Sequence, residues 1–460
     1  MPVSSRRGFL GHAVAGGVAT LSAEAVITRG AAAAAGQPGE PYDVAVFGGG
    51  PAGILAAAQA GRAGARTLLV EKNGMLGGTT TSGGVNFPGL FHAWGKAIIG
   101  GIGWELVRRC TDTCGQALPD FSVVPDRHWK HQVRVDRAVY AALADELVVQ
   151  AGVEVLFHAM PAAFEERDGV KGMTLCTKTG LREIQAKVVV DCTGDANVLA
   201  LAGCELVAHD KLQPGTLMLR LSGYDLGALD KNALRKACAN ALASGALQPT
   251  DCASGADTPW RLLASHGDNS LDVVNVNGRT SEGRTEAELA GRAAFLRLYR
   301  FLRVQPGLEG LRVDFLAPEC GIRETVTIQG QATVTVDDYA SGRLWADAVC
   351  HSFYPIDWHK ADGQGIDMRP LEPGTVATIP RGALLPKGKR NLVAAGRCIA
   401  SDQLANSALR VQATCMAVGQ AAGALAALAA ASGTDVAEVG MESLRALLRK
   451  HHAIVPEMTA

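Results

Sequence analysis

Residues 42–78 read YDVAVFGGGPAGILAAAQAGRAGARTLLVEKNGMLGG, and the order of residue types in this stretch decides the fold. The apolar run at residues 44–47 is typical of a buried parallel strand, which shows no polar alternation because both faces of its sheet are covered. Three glycines follow at the spacing G-x-G-x-x-G, namely Gly48, Gly50 and Gly53. This pattern predicts a tight turn from strand to helix, with room for a phosphate group beside the backbone.

The residues after these glycines predict a helix and then a second strand. Pro51 and Ala52 come first, and proline fits the first turn of a helix because its missing N–H would lack a partner there anyway. The N-terminal amides and dipole of the helix ILAAAQAGRAG favour a phosphate. The strand ARTLLVE ends in Glu71, 18 residues after Gly53, where a carboxylate can accept hydrogen bonds from an adenosine ribose. With Lys72 beside it, the stretch predicts a dinucleotide site and leaves FAD and NAD both open.

A second pair of glycines distinguishes between these cofactors. Residues 74–84, GMLGGTTTSGG, resemble the pair that follows the ribose-binding acid in glutathione-reductase-like and fumarate-reductase-like flavoproteins. In those proteins this segment passes along the FAD pyrophosphate and then the flavin ring, and NAD-only dehydrogenases lack it. The resemblance implies FAD as cofactor, with contacts from Gly77, Gly78, Thr79, Thr80, Thr81, Ser82 and Gly83.

Residues 152–195 resemble another part of the same flavoproteins. They read as several short strands, then the apolar strand AKVVVD, then a turn that contains Thr193, Gly194 and Asp195. This order is similar to the antiparallel crossover and the A-T-G-like turn of these flavoproteins, with Cys192 in place of alanine. The resemblance implies that the turn contacts the cofactor.

Residues 391–427 repeat the scheme near the C-terminus. A strand ends at Gly396 and Arg397, and after a loop a helix is expected from about Val411 and Gln412. Such a helix would aim its N-terminal amides at the pyrimidine edge of the flavin, where negative charge develops on reduction.

Taken together, residues from about 42 to 432 resemble the bacterial FAD-dependent oxidoreductases related to the fumarate-reductase flavoproteins. The stretches PGLFHAWGKAIIGGIGWELV, CGIRET, YPIDWH and AGRCIASDQLANSALRVQATCMAVGQAAG carry this resemblance. It implies an α/β fold: a Rossmann-like FAD/NAD(P)-binding domain, with a parallel sheet and an antiparallel crossover, plus an inserted mixed α+β substrate or cap region. The chain departs from the family pattern at residues 325–327 and 380–382, so no substrate class is carried over.

The predicted organisation has five parts. They are a signal peptide at 1–36, the FAD-binding domain in two pieces at 42–205 and 371–432, a substrate or cap domain at 206–370, and a C-terminal helical tail at 433–460. In the cap, residues 285–304 predict a helix with one apolar stripe through Leu289, Ala293 and Leu296.

Three residues are candidates for catalysis. We favour His359 as proton acceptor, since oxidation of a carbinol or amine needs a base near the carbon that gives up its hydride. Arg323 precedes Glu324 on a predicted strand, and it could hold an anionic substrate or stabilise an oxyanion, or belong to a buried Arg–Glu network. His92 follows the glycine and threonine run and could lie over the flavin, or be hydrogen-bonded within a loop.

The N-terminal stretch SSRRGFLG predicts export. Arg6 and Arg7, followed by a short apolar run and the tract RGAAAAAGQPGE, resemble the twin-arginine signal by which bacteria export folded proteins. The alternative is an accidental pair of arginines in a tail. The apolar run is too interrupted for a lasting membrane span. We therefore expect a periplasmic or extracellular protein that needs the twin-arginine translocation machinery.

Composition excludes some other classes. The net charge is −1 and no long block of like charge occurs, which gives no support to a nucleic-acid partner. The 11 cysteines are scattered without metal-site spacing, so we expect mostly buried thiols and no metal. The function expected is dehydrogenation of a small-molecule substrate by hydride transfer to flavin N5, with a separate electron acceptor. Two alternatives remain open: flavin-dependent reduction of an activated double bond, and a non-redox lyase or isomerase.

Overall fold

The computed structural model describes residues 40–457 apart from 168 and 364. The signal peptide predicted at residues 1–36 therefore lies outside the described residues. Up to residue 208 the strands and helices are β1 (Tyr42–Phe47), α1 (Pro51–Arg62), β2 (Thr67–Val70), β3 (His92–Ala93), β4 (Lys96–Ala97), α2 (Gly101–Thr113), α3 (Arg137–Gln150), β5 (Glu154–Leu156), β6 (Met160–Arg167), β7 (Val170–Thr177), β8 (Gly180–Asp191), α4 (Asn197–Leu201) and β9 (Leu206–Ala208).

The middle of the chain holds shorter strands and two long helices. Its elements are β10 (Gly215–Thr216), β11 (Leu219–Ser222), α5 (Lys231–Ser244), α6 (Thr258–Ala264), β12 (Gly267–Asp268), β13 (Asp272–Val273), α7 (Ser281–Arg303) and β14 (Arg312–Leu316). The last part contains β15 (Val326–Ile328), α8 (Val336–Ala340), β16 (Ala348–Ser352), β17 (Ile356–His359), β18 (Ile366–Arg369), β19 (Ala377–Pro380), β20 (Leu392–Ala394), α9 (Gln403–Leu409), α10 (Gln412–Ser432) and α11 (Met441–Lys450).

A seven-stranded sheet forms the centre of the larger part of the fold, in the order β5-β2-β1-β8-β7-β6 with β20 also beside β8. Strands β5, β2, β1, β8 and β20 run parallel, with Val46 opposite Leu69 on one side and Val190 on the other. β6, β7 and the first half of β8 pair antiparallel. The predicted parallel sheet with an antiparallel crossover is confirmed, and strand β8 belongs to both.

Helices α1 and α10 cross at very short range because both are rich in small residues. A Cβ added at Gly419 would lie 2.1 Å from the carbonyl oxygen of Ala52, and one added at Gly423 would lie 2.1 Å from that of Ala56. α10 is long and apolar enough to span a membrane by length and composition, but 89% of its apolar window is buried. It is a core helix that fixes α1 against the sheet.

A second hydrophobic core lies in the middle region and includes Leu217, Leu263 and Leu298. The stripe predicted on α7 is wrong, because Leu289 is 61% exposed and Leu296 is 41% exposed. The buried row of α7 consists mainly of small residues: Gly283, Ala287, Gly291, Ala294, Leu298 and Leu302. The small residues are needed where the helix meets the strands, since a Cβ at Gly291 would lie 3.1 Å from both Val273 and Cys320.

The larger core draws on more of the chain than the sheet alone. Ile328, Tyr339 and Tyr354, which lie within the predicted cap domain, pack in this core, as does Leu444 from the predicted tail. The five domain boundaries remain a prediction. The packing shows that residues around 328–356 lie against the sheet domain and that the separate core covers residues 217–320.

Candidate active site

A cavity with a volume of ≈ 280 Å³ lies at the carboxyl ends of β1, β2, β8 and β20, where the two cores meet. Its lining includes these predicted site residues: Gly48, Gly50, Pro51, Ala52, Glu71, Lys72, Gly78, Thr79, Gly83, Thr193, Gly194, Asp195, Arg323, His359, Gly396, Arg397, Val411 and Gln412. Six predicted residues are outside this lining: Gly53, Gly77, Thr80, Thr81, Ser82 and His92. Segments far apart in sequence are thus brought to one cavity.

The turn between β1 and α1 leaves space for a phosphate group. Gly48 has φ +95°, and a Cβ there would lie 2.6 Å from the carbonyl oxygen of Cys192. A Cβ at Gly53 would lie 1.7 Å from the oxygen of Gly48, so this glycine lets helix and strand pack together. A Cβ at Gly50 would meet nothing within 4 Å, and no side chain caps α1 at this residue. The open space and the uncapped N-terminus fit a dinucleotide pyrophosphate.

Glu71 supports this turn from the end of β2. One carboxylate oxygen accepts a hydrogen bond from the amide of Gly49 at 2.6 Å, and the other accepts one from the amide of Asn73 at 2.8 Å. The side chain lines the cavity although it is mostly buried. The carboxylate therefore orders the glycine turn, and its contact with a ribose stays a prediction.

The second glycine pair lies directly against the first turn. Gly77 and Gly78 both have positive φ, and a Cβ at Gly78 would lie 2.9 Å from the Cα of Gly50. Behind the cavity wall, Thr80 donates a hydrogen bond to the side chain of Gln412 at 2.6 Å, and Thr81 donates one to the carbonyl of Leu76 at 2.8 Å. Ser82 accepts a hydrogen bond from the Asn73 side chain at 3.3 Å. Thr80, Thr81 and Ser82 therefore stabilise this loop through hydrogen bonds.

Asp195 joins the turn after β8 to the turn after β20. Its carboxylate accepts hydrogen bonds from Arg397, from Arg284 of α7 at 2.6 Å and from the Thr325 hydroxyl at 2.9 Å. Arg397 also donates to the carbonyl of Gly194 at 2.9 Å. Two cations and one carboxylate thus connect the cap helix to the sheet domain at the cavity wall.

Helix α10 begins at the cavity wall, as predicted. Val411 is its N-cap and provides no side-chain hydrogen bond to the first turn. Gln412 donates a hydrogen bond from its side chain to the carbonyl of Val85 at 2.7 Å, which holds the segment opposite. The backbone amides of this first turn are available to an acceptor on a bound ligand.

His359 and Asp357 project from β17 into the same cavity. Nε2 of His359 lies 3.5 Å from Oδ2 of Asp357, and the backbone amide of His359 donates to the side chain of Gln213. Burial lowers the pKa of His359 below its ordinary value, although the nearby Asp357 opposes this shift. Burial raises the pKa of Asp357, but the hydrogen bond from His359 and the charge of Arg410 outweigh it and the pKa lies below its usual range.

Arg410 and Tyr354 complete this polar end of the cavity. Nη2 of Arg410 lies 3.8 Å from Oδ2 of Asp357, and burial lowers the pKa of Arg410 to about 10. The Tyr354 hydroxyl accepts a hydrogen bond from the Gln132 side chain at 3.3 Å, and burial raises its pKa. The result is a base, a carboxylate, a guanidinium and a phenol around one space.

Arg323 and Glu324 are not on a strand, contrary to the prediction. They lie in an irregular segment before β15, and both side chains are buried. Nη1 of Arg323 donates to the carbonyl oxygens of Pro214 at 2.6 Å and Gly215 at 3.2 Å and lies 3.4 Å from Asp272. Glu324 instead accepts hydrogen bonds from Gln213 and Gln403. The two residues therefore belong to separate networks, and part of the Arg323 guanidinium is committed to the backbone.

His92 lies in an aromatic cluster rather than at the cavity. Its ring stacks on Phe121 with centroids 3.8 Å apart and meets Trp104 edge-on at 5.2 Å. Burial lowers its pKa to about 4, and Nδ1 has no hydrogen-bond partner among the described residues. The structure does not bring His92 together with His359 and Arg323.

Several lining residues were not singled out from the sequence. The polar ones include Asn73, Gln132, Thr216, Asn269, Arg284, Glu319 and Arg410. Arg410 directly precedes Val411, so its place at the start of α10 was a usable signal. Gln132 follows a loop with no recognisable motif, so the sequence held no signal for its role. Among the described residues, no group of three His, Cys, Asp or Glu side chains could hold a metal ion.

Residues 43–448 match the family described as FAD dependent oxidoreductase. The chain belongs to this family. It is therefore an FAD-dependent enzyme, and the turn around Gly50, the second glycine pair and the start of α10 are the places in this oxidoreductase that fit FAD.

Curated proteins match the oxidoreductase over limited segments. It is 50% identical to dihydrolipoyl dehydrogenase of Trypanosoma brucei brucei over 54 residues, 12% of this chain and 11% of that protein. It is 28% identical to thiamine thiazole synthase of Methanococcus vannielii over 168 residues, 34% of this chain and 58% of that protein. The chain thus spans 11% and 58% of the lengths of these two relatives.

Solved structures with flavoenzyme folds are similar at a distance. A geranylgeranyl bacteriochlorophyll reductase-like protein from Thermoplasma acidophilum has 14% identity and a TM-score of 0.40, with 89% of this chain and 84% of that chain covered. The p-nitrophenol 4-monooxygenase of Pseudomonas putida has 13% identity and a TM-score of 0.39, with 89% and 86% covered. Likenesses this distant say nothing about the substrate of the oxidoreductase.

Proposed function

We propose that this oxidoreductase dehydrogenates a small organic molecule, with the ring of His359 accepting the proton that leaves a hydroxyl or amino group. One observation carries the proposal. His359 and Asp357 line the same cavity as the glycine turns that fit FAD. The lowered pKa of His359 keeps its imidazole neutral near pH 7, as a general base requires.

Bound FAD would accept the substrate hydride at flavin N5, and oxygen, a quinone or another acceptor would then reoxidise it. Side chains of the protein handle the proton and hold the substrate. Asp357, whose pKa is lowered, stays ionised and stabilises the imidazolium that forms as His359 takes the proton. The Tyr354 hydroxyl, held by Gln132, can donate a hydrogen bond into the same space.

The proposal is tested by anaerobic mixing of the FAD-loaded protein with alcohols, amines and sugars, while the flavin absorbance is followed. We expect bleaching of the flavin by one of these classes, and a fall of about 10² to 10⁴ in its rate in His359→Gln. His452→Gln, at an exposed histidine near the C-terminus, is the matched control.

Other results would assign another function. If an unsaturated acid reoxidised the chemically reduced flavin, and no alcohol or amine reduced the flavin, the protein would instead be a reductase of an activated double bond. Turnover with an unchanged flavin spectrum and no acceptor consumed would indicate a lyase or isomerase. A loss of rate in His92→Gln and not in His359→Gln would transfer the proton acceptor to His92.

We also propose that the protein is exported already folded, to the periplasm or the medium, by the twin-arginine translocation machinery. Support comes from the adjacent Arg6 and Arg7 and the apolar run after them, which lie outside the described residues. The cofactor gives a physical reason, since FAD must be bound inside the cell before translocation.

A further inference from the structure

The cations around the cavity differ in how well a carboxylate neutralises them. Among the described residues, the lining holds five: Lys72, Arg284, Arg323, Arg397 and Arg410. Lys72 donates a close hydrogen bond to the carboxylate of Glu319, and Arg284 and Arg397 each donate one to the carboxylate of Asp195. Arg323 lies 3.4 Å from Asp272, and Arg410 lies 3.8 Å from Asp357. The weakest ion pairs are the two at the end of the cavity that holds His359.

Of Arg323 and Arg410, Arg410 makes fewer hydrogen bonds to the described residues. A guanidinium has five N–H donors, and the bonds of Arg410 to described residues are two long ones from Nη2, to Gln213 at 3.3 Å and to the carbonyl of Asp357 at 3.2 Å. Nε is buried without a partner among the described residues. A buried charge with so few partners is costly, and that cost would be offset by an anion bound in the cavity.

We propose that Arg410 and Arg323 form a binding subsite for a carboxylate of the substrate. A carboxylate matches the planar fork of a guanidinium and accepts two parallel hydrogen bonds from it. Arg323 lines the same cavity, and only its Nη1 is bonded to described residues, so its other nitrogens can donate to an anion bound there. The ionised Asp357 beside Arg410 favours a monoanion over a phosphate dianion.

The subsite adjoins the proposed base, which narrows the substrate class. Nε2 of His359 and Nη2 of Arg410 approach the same oxygen of Asp357, at 3.5 and 3.8 Å. The distance between the two nitrogens therefore cannot exceed the sum of those two distances. If the proposed function holds, the oxidised carbon lies close to the carboxylate, so the substrate is a short hydroxy acid or amino acid. Oxidation releases one proton to His359 and one hydride to FAD, and leaves a keto acid or imino acid.

The subsite is tested by binding, independently of turnover. Isothermal titration calorimetry of the FAD-loaded protein, kept anaerobic, compares propionate with propionamide and phenylacetate with phenylacetamide. Each pair differs in charge at nearly constant shape, and none has a hydroxyl or amino group to oxidise. We expect at least one acid to bind about ten- to hundredfold tighter than its amide. Inorganic phosphate should bind more weakly than that acid.

Variants locate the effect. Arg410→Gln should remove the preference for the acid, and Arg410→Lys should keep part of it because the charge remains while the planar fork is lost. Arg369→Gln is the matched control, since Arg369 lies on the β17–β18 hairpin that carries Asp357, is exposed and pairs with Asp367 outside the cavity. FAD absorbance confirms that each variant is loaded.

The outcomes separate this subsite from the proposed function. Equal affinity for acid and amide in the wild type, no binding of either acid, tighter binding of phosphate, or an unchanged preference in Arg410→Gln each overturns the subsite. The wild-type comparison decides even where a variant does not fold. Carboxylate binding without flavin reduction by any hydroxy or amino acid would leave the subsite standing and overturn the proposed dehydrogenation.

Discussion

Nε2 of His359 lies 3.5 Å from Oδ2 of Asp357 on the same strand, two residues away. Residues two apart on a strand point to one face, so β17 alone fixes this pair. Burial lowers the pKa of the histidine, whereas Asp357 works in the opposite direction. The pair therefore combines a neutral ring with a carboxylate that can stabilise its protonated form.

The first prediction concerns pH. Because the pKa of His359 is lowered, the rate of flavin reduction by a substrate should stay level as the pH falls through 6.5 and decline only below it. Asp357→Asn removes a group that raises this pKa, so the acid limb should move to still lower pH. The plateau rate should also fall, by up to about 10⁴-fold, because the ring loses the group that orients it.

Rapid-mixing measurements between pH 5 and 9 check this profile. Asp367→Asn, at a half-exposed carboxylate on the neighbouring strand β18, should leave the profile unchanged. An acid limb that stays at the same pH in Asp357→Asn would show that Asp357 does not act on His359.

The second prediction contrasts two glycines of the first turn. Gly50→Ala adds a methyl group in open space at an ordinary backbone conformation, so the protein should fold and hold FAD more weakly. Gly53→Ala places its methyl group 1.7 Å from the oxygen of Gly48 and should destabilise the fold by about 1–3 kcal/mol or more. Thermal unfolding of the FAD-free proteins and titration with FAD separate the two effects. Wild-type FAD affinity in Gly50→Ala would show that the phosphates do not pass this residue.

The third prediction concerns Glu71. Glu71→Ala should weaken FAD binding about ten- to hundredfold, because charged acceptors contribute about 1.5–3 kcal/mol per hydrogen bond. The structure adds a second cause, since the alanine also releases the amides of Gly49 and Asn73. The dissociation constant of FAD from Glu71→Gln, which keeps one acceptor oxygen, should lie between those of the wild type and Glu71→Ala. Fluorescence titration with FAD measures all three proteins, and equal dissociation constants would exclude a role for Glu71 in holding the cofactor.

Local sequence predicts the dinucleotide turn well because few residues decide it. The strand at 44–47, the glycines and the acid at 71 act within one β-α-β unit, and their spacing is dictated by backbone geometry. The buried face of α7 was not predictable in this way. Its contact with β13 needs small residues, so the exposed Leu289 and Leu296 are more apolar than the face that is buried.

The polar end of the cavity was only partly predictable, for a different reason. His359 was favoured by residue type, but its link to Arg410 through the shared partner Asp357 joins β17 to the start of α10 and depends on the tertiary fold. The position of His92 depends on Phe121, a residue in a loop whose path no local pattern indicates. Contacts between distant segments therefore limit what sequence alone can assign.

The last prediction concerns export. Changing Arg6 and Arg7 together to lysine keeps both charges but removes the planar guanidinium groups read by the translocation receptor. The double variant should accumulate in the cytoplasm as a folded protein that carries FAD, because the described lining of the cavity comes from residues between Gly48 and Cys415. Arg29→Lys, a change at another arginine of the predicted signal peptide, should be exported normally. Cell fractionation with flavin absorbance decides between these results: export of the double variant at the wild-type level would exclude the twin-arginine route, whereas loss of export without FAD would indicate a folding defect instead.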